Sequence, residues 1–147
     1  MPIEMTELHA RFLADAFDDG VPPLLGTASR DGEPQISPKG TLALLDAETL
    51  CFWERSYRSS YAALEENPRV VVYCRNHQRA AALPFRNGAL RFRGVARIAA
   101  DEATRARVWA LSPAAEQARD PEKKGVAVLI RVDRIEDLAG QVIMQRE

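Results

Sequence analysis

The sequence predicts a mainly β protein with peripheral helices, in which six or seven mostly antiparallel strands close into a small barrel accompanied by two to four short helices. Three observations carry that expectation. Near-continuous apolar runs at Thr49–Glu54, Val70–Cys74 and Gly125–Val132 need cover on both faces. Ala89–Ala99 alternates between apolar and polar side chains, the period of a strand with one buried face. Asp31-Gly32 and Asn87-Gly88 are strong hairpin signals. An antiparallel sheet with that much two-sided apolar surface can bury it by curling into a barrel whose ends the helices plug.

Each element follows from local chemistry. Thr6 is placed to cap a first helix with an apolar stripe of Leu8, Phe12, Leu13, Ala16 and Phe17, and Gly20, Pro22 and Pro23 stop it. His9 on this helix is expected at the surface. Leu24–Ser29 reads as a strand, Asp31-Gly32 as its turn and Gln35–Leu45 as its partner. Pro38 and Gly40 interrupt that partner, and a proline that cannot donate to a ladder implies a bulge or an edge. Asp46–Glu48 turns into a third strand, Thr49–Glu54. A short helix beginning near Ser60 must end at Asn67-Pro68, because the residue before proline is pushed out of helical geometry.

Val70–Cys74, apolar on both faces, is expected to be central. The loop Asn76–Pro84 and the Asn87-Gly88 turn lead into Ala89–Ala99, with Leu90, Phe92, Ala96 and Ile98 on one face and Arg91, Arg93, Val95 and Arg97 on the other. Asp101 caps a helix carrying Val108, Trp109 and Leu111, and the segment Pro113–Arg119 follows. Gly125–Val132 is a long strand and Gln141–Met144 a last short one. No repeat or linker divides the chain, so residues 1–147 are expected to form one domain.

Composition narrows the function classes. With 46% hydrophobic and 28% charged residues the chain reads as a soluble globular domain that needs no staples. No apolar run approaches the roughly 20 residues of a membrane helix, and the acidic start (Glu4, Glu7, Asp15) is unlike a signal peptide, so a cytoplasmic protein is expected. Cys51 and Cys74 lie in apolar runs with no CxxC or Cys/His cluster, which implies buried reduced thiols and no metal site. Charge is uneven: residues 1–54 carry 3 basic and 10 acidic side chains, whereas residues 55–107 carry 11 and 4. The middle of the chain is therefore the place for an anionic ligand. Nucleic acid is not the expected partner, since these arginines come without a helix-turn-helix, zinc finger or RNA-binding aromatic motif.

The residues that carry chemistry are few. Neither His9 nor His77 sits in a nucleophile or metal motif, and His77 reads as a solvated loop residue. An enzyme built on this chain would rely on a bound cofactor. Arg55, Ser56, Arg58, Ser59 and Ser60 bring two guanidiniums and three hydroxyls to the start of a helix, a donor set suited to phosphate. A serine-capped helix beside exposed arginines has the same pattern, and spacing alone does not choose between the two. Ser37-Pro38-Lys39-Gly40 puts a hydroxyl, a cation and exposed backbone on one bend. Arg91, Arg93 and Arg97 form an arginine face that points to solvent or a subunit interface.

The order of these pieces resembles the pyridoxamine 5'-phosphate oxidase-like, FMN-binding split barrels. The carrying stretches are Glu33-Pro34-Gln35-Ile36-Ser37-Pro38-Lys39-Gly40, Thr49-Leu50-Cys51-Phe52-Trp53, Leu64-Glu65-Glu66-Asn67-Pro68-Arg69-Val70 and the strand Leu90–Ile98, over about residues 24–132. The resemblance implies a split β-barrel and a homodimer with FMN in clefts at the subunit interface, acting as an oxidoreductase on a small-molecule substrate. It maps the flavin phosphate onto Arg55, Arg58, Ser59 and Ser60, runs the strand of Ser37 and Lys39 beside the flavin, and lets Trp109 reach the site across the dimer. Many members have a lysine four residues before the helix leucine, where this chain has Ser60. The vitamin B6 oxidase proper carries a C-terminal extension with tryptophan- and arginine-containing motifs; here Arg146-Glu147 follow shortly after the last strand, so oxidation of pyridoxamine phosphate is not expected. Two alternatives stay open: a deazaflavin-dependent reductase, and a non-catalytic flavin or haem module with His77 as candidate axial ligand.

Overall fold

A computed structural model of the chain describes residues 1–56 and 59–147, Ser59 by its backbone only. The first helix, α1 (Glu7–Asp18), is entered through a reversed half of a capping box: His9 Nδ1 accepts the Thr6 backbone N–H at 2.9 Å. Its buried face is His9, Phe12, Leu13 and Ala16, while Leu8 is 40% exposed. His9 therefore sits inside, not at the surface. Its acceptor role satisfies one ring nitrogen, and its ring lies 5.9 Å from that of Phe85.

Eight strands follow among the described residues: β1 (Leu24–Ala28), β2 (Pro34–Pro38), β3 (Ala43–Asp46), β4 (Thr49–Glu54), β5 (Arg69–Arg75), β6 (Ala89–Ala99), β7 (Val126–Glu136) and β8 (Val142–Gln145). They form one antiparallel sheet in the order β2-β1-β5-β6-β7-β4-β3, with β8 also paired to β7. The expected strand Gln35–Leu45 is two strands on opposite edges of this sheet, which raises the expected six or seven to eight. Pro38 ends β2, a turn closed by Leu42 N–H to Lys39 C=O follows, and β3 begins at Ala43. The edges must curl to within a few residues' reach of each other, yet no ladder joins β2 to β3 among the described residues. The barrel is split along that seam.

Two-sided burial has a concrete cause in β4 and β7. Leu50 and Phe52 pair with Ile130 and Val128 on the inner face, where α1 packs; Cys51 and Trp53 pair with Leu129 and Ala127 on the outer face. The outer residues are covered by Val108 and Trp109 of α3 (Glu102–Leu111), so this helix lies on the sheet and does not plug a barrel end. Asp101 caps α3 by accepting the Thr104 N–H at 3.0 Å, and Leu111, expected in its apolar set, is 44% exposed. A short α4 (Ala114–Gln117) follows, and α2 (Ser59–Glu66) stops before Asn67-Pro68. Among the described residues, no helix is long and apolar enough to cross a membrane.

β5 lies between β1 and β6, as its apolar run requires. Asp31-Gly32 does turn β1 into β2, but Asn87-Gly88 is not a two-residue hairpin. The β5–β6 connection holds two short 3-10 turns, His77–Ala82 and Arg86–Gly88. Asn87 and Gly88 take the positive φ values the dipeptide suits, 55° and 64°, at the entry to β6.

Candidate functional site

The seam brings together residues distant in sequence. Lys39 follows Pro38 at the end of β2 and is anchored by its N–H to the Pro23 carbonyl at 2.9 Å. Two residues on, the chain has reached β4: the Thr41 hydroxyl accepts the Trp53 N–H at 2.9 Å and donates to the Trp53 carbonyl at 3.0 Å. One side chain thus carries the β3–β4 pairing beyond its ladder, in the register that sets Ala43 opposite Cys51.

This crossing delivers the Lys39 ammonium to Glu54 Oε2 at 2.8 Å and to the Ser60 hydroxyl at 3.1 Å, 5.4 Å from the centre of the Phe52 ring. The ion pair is nearly dry, with side chains 14% and 4% exposed. The other Glu54 oxygen accepts the Ser56 N–H at 3.3 Å. Beside the pair lies a cavity of about 300 Å³ lined by Lys39, Gly40, Thr41, Trp53, Glu54, Arg55 and Ser56 from the seam, by Phe17 and Pro22, and by Glu116 and Arg119 near α4. At Gly40 a Cβ would collide with the Glu116 carboxylate and lie 2.8 Å from the Phe17 ring, so glycine keeps this wall close.

Trp53 is fixed from three sides. Its Nε1–H donates to Asp120 Oδ2 at 2.9 Å, its ring meets that of Trp109 edge-on at 5.1 Å, and the Arg105 guanidinium lies 5.2 Å from the ring centre. Burial raises the Asp120 pKa, but hydrogen bonds from Lys124 N–H, the Trp53 indole and Gly125 N–H outweigh it and hold the carboxyl below its ordinary value.

Of the residues singled out in the sequence, Lys39, Arg55 and Ser60 meet here. Ser37 lies on the half-buried face of β2, where its Oγ is buried with no hydrogen-bond partner among the described residues. Trp109 does not line the cavity but backs Trp53, which does. Arg58 and the Ser59 side chain lie outside the described residues. His77 is exposed at the start of a 3-10 turn and is not among the cavity's lining residues. Arg91 and Arg93 turn away from the seam to Glu136, at 3.0 and 3.1 Å, with Arg134 on the same carboxylate at 2.8 Å. Sequence reading passed over Glu54, Glu116, Arg119 and Asp120. For Glu54 there was a signal: a carboxylate ending an otherwise apolar strand calls for a buried cation as partner.

The fold and the seam define an open antiparallel β-barrel with a mixed-charge cleft where its edges separate. A family model described as pyridoxamine 5'-phosphate oxidase matches residues 21–138. The chain belongs to the pyridoxamine 5'-phosphate oxidase family. A search of the curated proteins finds no match. Among solved structures, HupZ of Group A Streptococcus superposes with a TM-score of 0.66 at 20% identity, covering 94% of this chain and 97% of that one. An FMN-binding protein from Syntrophomonas wolfei subsp. wolfei gives 0.60 at 16% identity, covering 90% and 86%. HutZ, a heme storage protein from Vibrio cholerae, gives 0.56 at 18% identity, covering 84% and 90%, and an F420 reductase shares the fold as well. At these identities the likeness speaks to fold alone.

Proposed function

We propose that the protein is an FMN-binding flavoprotein, an oxidoreductase acting on a small molecule. Residues 1–147 would form a single cofactor-binding domain of a cytoplasmic homodimer, with the flavin in clefts at the subunit interface. The observation that carries this reading is the donor set at the seam. An ammonium has three N–H donors, and Glu54 and Ser60 engage two of those of Lys39. One N–H, the Ser60 hydroxyl proton and the Arg55 guanidinium remain to meet an anion with a hydroxylated chain. A flavin phosphate and its ribityl tail have that chemistry.

In this reading Arg55 and Ser60 hold the phosphate, joined by Arg58 and Ser59, while Lys39 and Ser37 lie beside the isoalloxazine or ribityl chain and Trp109 supports the site through Trp53. When bound, the flavin supplies hydride or electron transfer. The protein binds and orients it; the seam shows no histidine or paired carboxylate arranged for acid/base work among its lining residues. The test is the visible spectrum of the purified protein, followed by titration with FMN, a deazaflavin and haem. Flavin absorbance, or saturable FMN binding tighter than either competitor, is expected. A colourless protein that fails to bind added FMN would sink the reading, and preference for deazaflavin or haem would replace it.

A further inference from the structure

We infer that Glu54 sets the ligand specificity of the seam by occupying its anion donors from within, so that the cleft discriminates weakly between a phosphorylated flavin and its unphosphorylated counterpart. The inference rests on the flavin reading above and concerns the phosphate end of that site.

Glu54 is 3% exposed, on the last residue of a strand whose other side chains are apolar or Thr49. Its position is enforced, because the neighbouring backbone is closed in: at Gly125 a Cβ would collide with the Glu54 carbonyl and lie 3.0 Å from Arg55 Cα. Its two oxygens take the Lys39 ammonium at 2.8 Å and the Ser56 N–H at 3.3 Å. A cation and a backbone amide at the approach to a helix are the donors a phosphate would seek. A carboxylate that already holds both neutralises the cation and sets a negative charge beside any incoming dianion. Glu116 on the facing wall adds a second. Against these stand, among the described residues, Lys39, Arg55 and Arg119, which leaves little net charge from that set to reward a phosphate. Ser60 points the same way, since its hydroxyl serves Lys39 at 3.1 Å and adds no cation.

The experiment is titration of the full-length protein with FMN and with riboflavin, for the wild type and for Glu54→Gln. Expected are an FMN preference under about tenfold in the wild type, and in the variant about a tenfold gain for FMN with riboflavin unchanged within about twofold, as one charged hydrogen bond is released. A wild-type preference of about a hundredfold or more, or an unchanged FMN-to-riboflavin ratio in Glu54→Gln, overturns the inference while leaving the flavin reading intact.

Unpairing a buried ion can unfold a protein. Glu116→Gln, at a half-buried position lining the same cavity, is therefore the second variant: it should gain about threefold or more for FMN with riboflavin unchanged, and an unchanged FMN-to-riboflavin ratio in it overturns the inference. If neither flavin binds any of these proteins, the flavin reading falls, and inorganic phosphate decides the role of Glu54. Thermal stabilisation by phosphate in Glu54→Gln and not in the wild type upholds it; no response in either overturns it.

Discussion

His9 is held as a neutral acceptor, and acid should undo that arrangement. Burial lowers its pKa below the ordinary 6.5, and this outweighs the raising effect of the Thr6 backbone contact. The unfolded chain then binds more protons than the folded one below that pH, so the stability His9 contributes is complete above about pH 6.5 and drains away as pH falls through the depressed folded pKa. Glutamine at the same helix position can accept the Thr6 N–H without titrating. We expect the urea midpoint of the wild type to drop between about pH 7.5 and about pH 5.5, and that of His9→Gln to drop less. Equal drops would remove His9 as the cause. The window is separable from that of Asp19, whose hydrogen bonds to Arg79 and Asn76 lower its pKa to about 2, so its contribution is lost only in stronger acid. The same residue explains a limit of sequence reading: a histidine three positions after a threonine reads as surface until its cap partner is known. Lys39 was legible because a Ser-Pro-Lys-Gly break is unusual inside an apolar strand. Glu54 left a trace as the carboxylate ending an apolar strand, but its partner was hidden, because that depends on where the chain crosses the seam.

At the scale of elements, β6 and β7 depend on one close approach. Their register shifts between Arg93 and Gly94, and at Gly94 a Cβ would collide with the Arg131 carbonyl and lie 2.9 Å from Ile130 Cγ2. These neighbours are backbone and packed core, which cannot swing aside. Gly94→Ala should therefore destabilise by about 1–3 kcal/mol, the usual cost of overpacking a tight site. A chemical denaturation midpoint that does not move would show that the ladder can open at the bulge. Helix α2, the capped starts of α1 and α3 and the central place of β5 were readable from local signals, because prolines, caps and apolar runs act within a few residues. The division of Gln35–Leu45 between β2 and β3 was not. Pro38 announces a break, but whether the chain resumes on the same edge or the opposite one is decided by the curl of the whole sheet.

At the scale of the molecule, the seam cavity bears on assembly. Its volume is about 300 Å³, the lower end of the range of roughly 300–1,000 Å³ found for sites that bury most of a cofactor-sized ligand. Under the flavin reading one chain would cover the phosphate end, and the ring system would need a second surface. Edge pairing through β2 is disfavoured, because Pro34 and Pro38 carry no N–H to offer a neighbouring strand. A contact through the face of that strand is better supplied, since Ile36 on β2 is 70% exposed. We expect light scattering to give about twice the 16.3 kDa of the chain. FMN affinity should fall when the protein is diluted below the concentration at which that mass halves, because a ligand held between two chains is linked to their association. A protein that stays monomeric and binds FMN equally well at every concentration would mean that the chain encloses the flavin unaided, and the seam would then have to open beyond the cavity seen here.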